Sequence, residues 1–396
     1  MGTARERREK RRQQTQETAE ARPRENRQVK AASDGKEPPF KFPINLPFNI
    51  PFNRWWLLLP AALILALGLI AILRAINPPE EVVASNAIWL DRTFSYSAPT
   101  DNELSTLIAD WKTNEITTIY LYASSLKEDA SWSGVVTQTN RFMEVEPLVA
   151  SLLERLNMLY PEAQILAWME VVADLPIYRL DSPQVKASVK DFAGRMVNGL
   201  KFDGIMLDVK PVFEGNEDLP VLLREVRDEI GLDRPLAVAV PADLTPTGTT
   251  LNLPTFIAAN TVWSAEYKKR VSIQADQIVV IAYNSYLTDP VDYINWVAYQ
   301  VQAFTVALEN SPSQLFVSIP NYTATNTSDF PPHDNAAETM AGALDGIAVA
   351  LRGLPADEFA RFDGVAIYTD HMLSESEWRI LQQKYLNAVL RPVASE

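Results

Sequence analysis

Asp208 and Lys210 stand two residues apart at the polar end of an apolar run, Phe202-Asp203-Gly204-Ile205-Met206-Leu207-Asp208-Val209-Lys210. Side chains alternate along a strand, so both point to one face, with Met206 below them. Carboxylates, amides and aromatic rings end several other apolar runs. These are Asp91 with Arg92, Tyr122, Glu170, Tyr283 with Asn284, Asn321 with Tyr322, and Tyr368 followed by Asp370 and His371. Such groups together suit a sugar: aromatic rings cover its apolar faces and polar groups read its hydroxyls.

Glu170, Asp208 and Glu214 are the carboxylates available for hydrolysis. Two carboxyls about 5 Å apart serve a retaining mechanism, and ~6.5–9.5 Å an inverting one. Lys210 is a poor acid toward an ether oxygen, because a lysine ordinarily titrates near 10.4. As a Schiff-base nucleophile it would need a depressed pKa, and Asp208 beside it pushes the other way. The plain reading of Asp208 and Lys210 is an ion pair. His333 and His371 are the only histidines and cysteine is absent, so no zinc site and no cofactor are expected.

These residues need a scaffold that gathers strand ends. Strand-like runs fall at 87–91, 117–123, 164–170, 202–210, 236–241, 277–284, 315–320 and 362–368. Amphipathic helical runs fill most gaps, at 103–114, 145–160, 183–200, 219–230, 291–308 and 335–351. Eight strands alternating with helices predict an α/β fold, a (β/α)₈ TIM barrel over 85–396, whose site gathers at the C-terminal ends of the strands. A doubly wound open sheet is the runner-up, but no glycine-rich phosphate loop follows any strand. Phe202-Asp203-Gly204 opens the fourth run and Phe362-Asp363-Gly364 the eighth, an internal echo between half-barrels.

The fourth run resembles the signature strand of the family 18 glycoside hydrolases, Asp-Gly-x-Asp-x-Asp-x-Glu. Asp203, Gly204 and Asp208 match, Met206 replaces the middle aspartate, and Lys210 stands where the catalytic glutamate belongs. Ile281-Ala282-Tyr283-Asn284 is similar to the family's Met-x-Tyr-Asp, and Tyr368 stands where a tryptophan usually underlies the substrate. The resemblance implies a chitinase-like barrel in which Asp208 and Tyr283 orient an acetamido group, with the general acid missing from its place. In that family the substrate's own acetamido group attacks, an exception to the two-carboxylate scheme.

Charge divides the chain. Residues 1–54 hold 13 Lys/Arg against 7 Asp/Glu, whereas 75–396 hold 22 against 43. The acidic part is a poor surface for nucleic acid. Between them, 55–73 is a run of 19 residues without a charge, flanked by Arg54 and Arg74. At ~1.5 Å per residue it reaches roughly 28 Å, about the hydrocarbon thickness of a bilayer. The expected organisation is a disordered basic arm with a proline-rich spacer (1–54), a transmembrane helix (55–76), a linker (77–84) and the barrel (85–396). The basic arm stays in the cytoplasm and the barrel lies outside the membrane. The expected partners are a carbohydrate or cell-wall glycan and, through 55–76, the lipid bilayer.

Function is expected to be glycan binding without chitinase activity, with Asp91, Lys210, Asn284, Tyr368 and Asp370 lining the site and Asp208, Glu170 and Tyr283 nearest the chemistry. A hydrolase using relocated carboxylates (Glu170, Glu214, Asp208) is one alternative. A barrel that binds another exported protein is the other.

Overall fold

The computed structural model describes residues 85–134, 141–172, 180–243, 262–321, 335–369 and 372–390. The arm, transmembrane helix and linker expected over 1–84 lie outside them, as do Tyr322, His333, Asp370 and His371. Among the described residues no helix is long and apolar enough to cross a membrane.

Eight strands follow one another around a closed barrel, each parallel to its neighbours. They are β1 (Asn86–Leu90), β2 (Ile116–Leu126), β3 (Gln164–Val172), β4 (Gly204–Lys210), β5 (Leu236–Pro241), β6 (Gln277–Ile281), β7 (Gln314–Asn321) and β8 (Phe362–Thr369). β1 pairs with β8, which closes the ring. Helices lie between the strands: α1 (Arg92–Tyr96) and α2 (Asp101–Thr113) after β1, α3 (Phe142–Leu159) after β2, α4 (Pro183–Gly194) after β3 and α5 (Asp218–Ile230) after β4. α6 (Ala265–Ser272), α7 (Pro290–Ala307), α8 (Met340–Gly353), α9 (Ala356–Phe359) and α10 (Glu375–Leu381) complete the order. The expected barrel is thus present.

Alternation along the strands builds two cores. Outward residues pack against the helices in one large cluster, whereas Trp89, Tyr120, Leu166, Trp168, Met206 and Phe316 belong to a second, inside the barrel. Met206 is fully buried there, level with Trp168 and Ala237 on the flanking strands. An apolar side chain at 206 therefore matches its surroundings, where a carboxylate would be desolvated.

The Asp-Gly echo has a packing cause. At Gly204 a Cβ would stand 2.1 Å from the Pro235 carbonyl oxygen, and at Gly364 2.8 Å from that of Ser85. The backbone of the next strand runs through the space a side chain would fill. Asp203 accepts from the Ile165 amide at 2.9 Å, so it stitches β4 to β3 at the floor of the barrel.

Several element ends differ from the sequence expectation. The sixth strand ends at Ile281 rather than 284, because Ala282 makes the last ladder bond to Ser318 and Asn284 turns to φ 57°. The helix expected from 335 starts at Met340, where Thr339 caps it through the Gly342 amide. The one expected from 103 starts at Asp101, with Thr100 and Glu103 forming a capping box.

Candidate functional site

β3 and β4 pair so that Glu170 lies directly across from Asp208, both facing into the barrel mouth. Lys210, one strand period beyond Asp208, bridges them. Its Nζ lies 2.9 Å from Asp208 Oδ2 and 2.9 Å from Glu170 Oε1. The Trp168 indole donates to the same Asp208 oxygen at 3.3 Å. Asp208 is 7% exposed, whereas the Lys210 side chain is 54% exposed at the rim. Burial alone would push the Lys210 pKa down, but the Asp208 and Glu170 charges and hydrogen bonds override it and hold it well above the ordinary lysine value. A lysine so held neither gives a proton to a leaving group nor becomes a free amine nucleophile.

Aromatic rings surround this ion triad. Trp168 packs edge-on to Tyr122 at 5.2 Å and to Trp89 at 4.8 Å. Tyr96 of α1 packs against Tyr122 at 6.0 Å and donates to the Ala123 carbonyl at 3.1 Å, which fixes that helix over β2. Tyr283 and Tyr368 stack at 5.1 Å with 19° between their planes. Burial raises the Tyr283 pKa well above the ordinary phenol value, with Tyr368 and Asp208 adding to the rise, so its hydroxyl stays protonated. The Lys210 charge works against that rise. Burial, then the Glu170 charge, likewise pushes Tyr122 up.

The remaining candidates divide. Asn284 follows Tyr283 in the left-handed turn after β6, a conformation asparagine tolerates better than most residues. Asp91 accepts from the Thr93 and Phe94 amides at 2.9 and 3.4 Å, so its carboxylate caps α1. Glu214 accepts from the Ser264 amide at 2.7 Å and its hydroxyl at 2.6 Å, and so anchors the cap of α6. Asn321 donates to Glu377 at 3.0 Å. Among the described residues no group of three metal-ligating side chains gathers.

Two partners of the site were not legible as such. Trp168 reads as a mid-strand core residue, yet its indole N–H meets the carboxylate above it. Ser318, fully buried on β7, accepts from Trp89 Nε1 at 3.0 Å and hydrogen-bonds Tyr283. Nothing in a lone serine within an apolar run signals this.

No family model matches the sequence, and no curated protein matches it. Solved structures do resemble it. The Group IV chitinase of Ostrinia furnacalis is 13% identical, with 78% of this chain and 99% of that chain covered and a TM-score of 0.50. The C-terminal domain of a provisionally assigned chitinase from Desulfitobacterium hafniense DCB-2 is 12% identical, with 76% and 99% covered and a TM-score of 0.50. The class that the fold defines is therefore a (β/α)₈ barrel, shared with these chitinases. At this identity the likeness is one of fold.

Proposed function

We propose that this protein is a membrane-tethered, extracytoplasmic glycan-binding barrel without chitinase activity. One observation carries the reading: an ammonium, held by two carboxylates, occupies the strand end where a chitinase-like barrel would present its general acid. Loss of a positioned acid typically removes ~10²–10⁴-fold of rate. The surrounding rings, above all the Tyr283–Tyr368 stack, retain the means to hold a sugar. Relocated carboxylates are poorly placed to compensate, because Glu170 is engaged by Lys210 and Glu214 by Ser264. The apolar run at 55–73 and the basic arm before it support tethering with the barrel outside.

The test is a screen of the detergent-solubilised full chain against N-acetylglucosamine oligomers and muropeptides, for binding and for cleavage. Binding without product release is expected. Robust turnover lost in Glu170→Gln would overturn the reading in favour of a working hydrolase. Absence of binding to either glycan class would favour a protein partner.

A further inference from the structure

We propose that the barrel mouth holds a glycan by a free amino group, an assignment that rests on the glycan reading of the cleft. The ligand class is then a de-N-acetylated amino sugar, carrying an ammonium, rather than its N-acetylated form. Two carboxylates and one ammonium leave the Glu170–Asp208–Lys210 triad with one negative charge in excess. Each carboxylate also keeps one oxygen in reserve. Lys210 contacts Glu170 Oε1 and Asp208 Oδ2, and Trp168 donates to that same Asp208 oxygen. Glu170 Oε2 and Asp208 Oδ1 make no hydrogen bond among the described residues.

Asp208 is more than nine-tenths buried, so an ionised oxygen there without a donor is costly. A cationic N–H group offsets that cost better than a neutral one, because charge-assisted hydrogen bonds are the stronger kind. Glu170 and Asp208 occupy inward positions directly across the β3–β4 pairing, and the Glu170 side chain is 22% exposed, so the pair is reached from the mouth. No second cation pairs with either carboxylate among the described residues. Arg92 at the same rim follows Asp91, whose carboxylate caps α1, so those two charges offset each other. An acetamido group brings no charge and leaves the excess in place, and an acidic sugar would add a third carboxylate. A peptide amine offers the same ammonium, but the stacked rings of Tyr283 and Tyr368 favour a sugar as its carrier. The acidic composition of 75–396, with 22 Lys/Arg against 43 Asp/Glu, adds a long-range pull on a cation.

The test is calorimetry on the detergent-solubilised full chain at about pH 6, where a sugar amine is charged. The probes are the β-1,4-linked tetramers of glucosamine and of N-acetylglucosamine, with tetralysine beside them. Wild type should bind the glucosamine tetramer roughly 10-fold more tightly than the N-acetylated one, the scale of one charged hydrogen bond. That preference should shrink as salt is raised. Equal or reversed affinities overturn the amino-group assignment, and if the N-acetylated tetramer binds in that case the glycan reading stands without it. If neither tetramer binds, both fall together. Tetralysine measures attraction to the acidic barrel as a whole, and binding as tight as that of the glucosamine tetramer overturns the choice of a sugar.

Two variants carry opposite expectations. Glu170→Gln removes the excess charge and should bring the two tetramers to near parity. Lys210→Met removes the competing ammonium, so affinity for the glucosamine tetramer should hold or rise by up to roughly 10-fold. An undiminished preference in folded Glu170→Gln, or a loss of affinity in folded Lys210→Met, overturns the assignment. A general loosening of the mouth would weaken both tetramers in both variants. The wild-type comparison decides by itself if either variant fails to fold.

Discussion

Glu170 and Asp208 lie side by side across the β3–β4 pairing, and one lysine, Lys210, is 2.9 Å from an oxygen of each. Two like charges held this close would repel without the cation between them, so the lysine is a structural part of the barrel mouth.

Lys210→Met removes that cation and keeps the stem. Loss of one partner from a buried pair costs about 3–5 kcal/mol, but Lys210 reaches solvent, so about 1–2 kcal/mol is expected. Equilibrium denaturation of the two proteins measures it. A variant as stable as wild type would mean that water already screens the triad.

On the proposed reading, Lys210→Glu puts a carboxylic acid beside Asp208, where the resembled family carries its general acid. Cleavage of N-acetylglucosamine oligomers is expected to be absent in wild type, to appear first in this background and to improve with Asn284→Asp. A regained rate within the ~10²–10⁴-fold reach of a general acid is expected, read as released reducing ends.

The pH dependence follows from the raised Lys210 pKa. A lysine that titrates later in the folded state stabilises that state fully below its unfolded value of about 10.4 and loses the effect as pH rises through the folded value. The stability gap between wild type and Lys210→Met should therefore stay level from about pH 7 to 9 and shrink only above about 10.4. A gap that closes near neutrality would contradict the assigned charge state.

Gly204→Ala drives a methyl group into the Pro235 carbonyl, whereas a Cβ at Gly353, at the end of α8, meets nothing within 4 Å. A loss of about 1–3 kcal/mol or more is expected at 204, and a neutral or slightly stabilising change at 353. Thermal melts of both variants make the comparison. Equal melts would remove the packing explanation for the Asp-Gly echo.

Membrane topology has its own test. Protease added to intact cells should remove the barrel and spare the basic arm. Protection of the barrel with loss of the arm would reverse the orientation.

Eight alternating runs and the strand-end rule were enough to place Glu170, Asp208 and Lys210 at one rim, because periodicity and parallel connectivity are local properties of the chain. The same alternation placed Met206 beneath Asp208. What the chain could not state was any distance or partner that depends on closure of the ring. The bridge from Lys210 to Glu170 joins residues 40 positions apart in sequence and depends on the β3–β4 register. Asp91 and Glu214 look like site carboxylates in the sequence, yet both accept backbone amides at helix starts, a competition that only folded geometry resolves. The Trp89–Ser318 bond spans 229 residues. Hydrophobic periodicity carries no record of such a contact, since it arises only when closure of the ring sets the first and seventh strands on either side of β8.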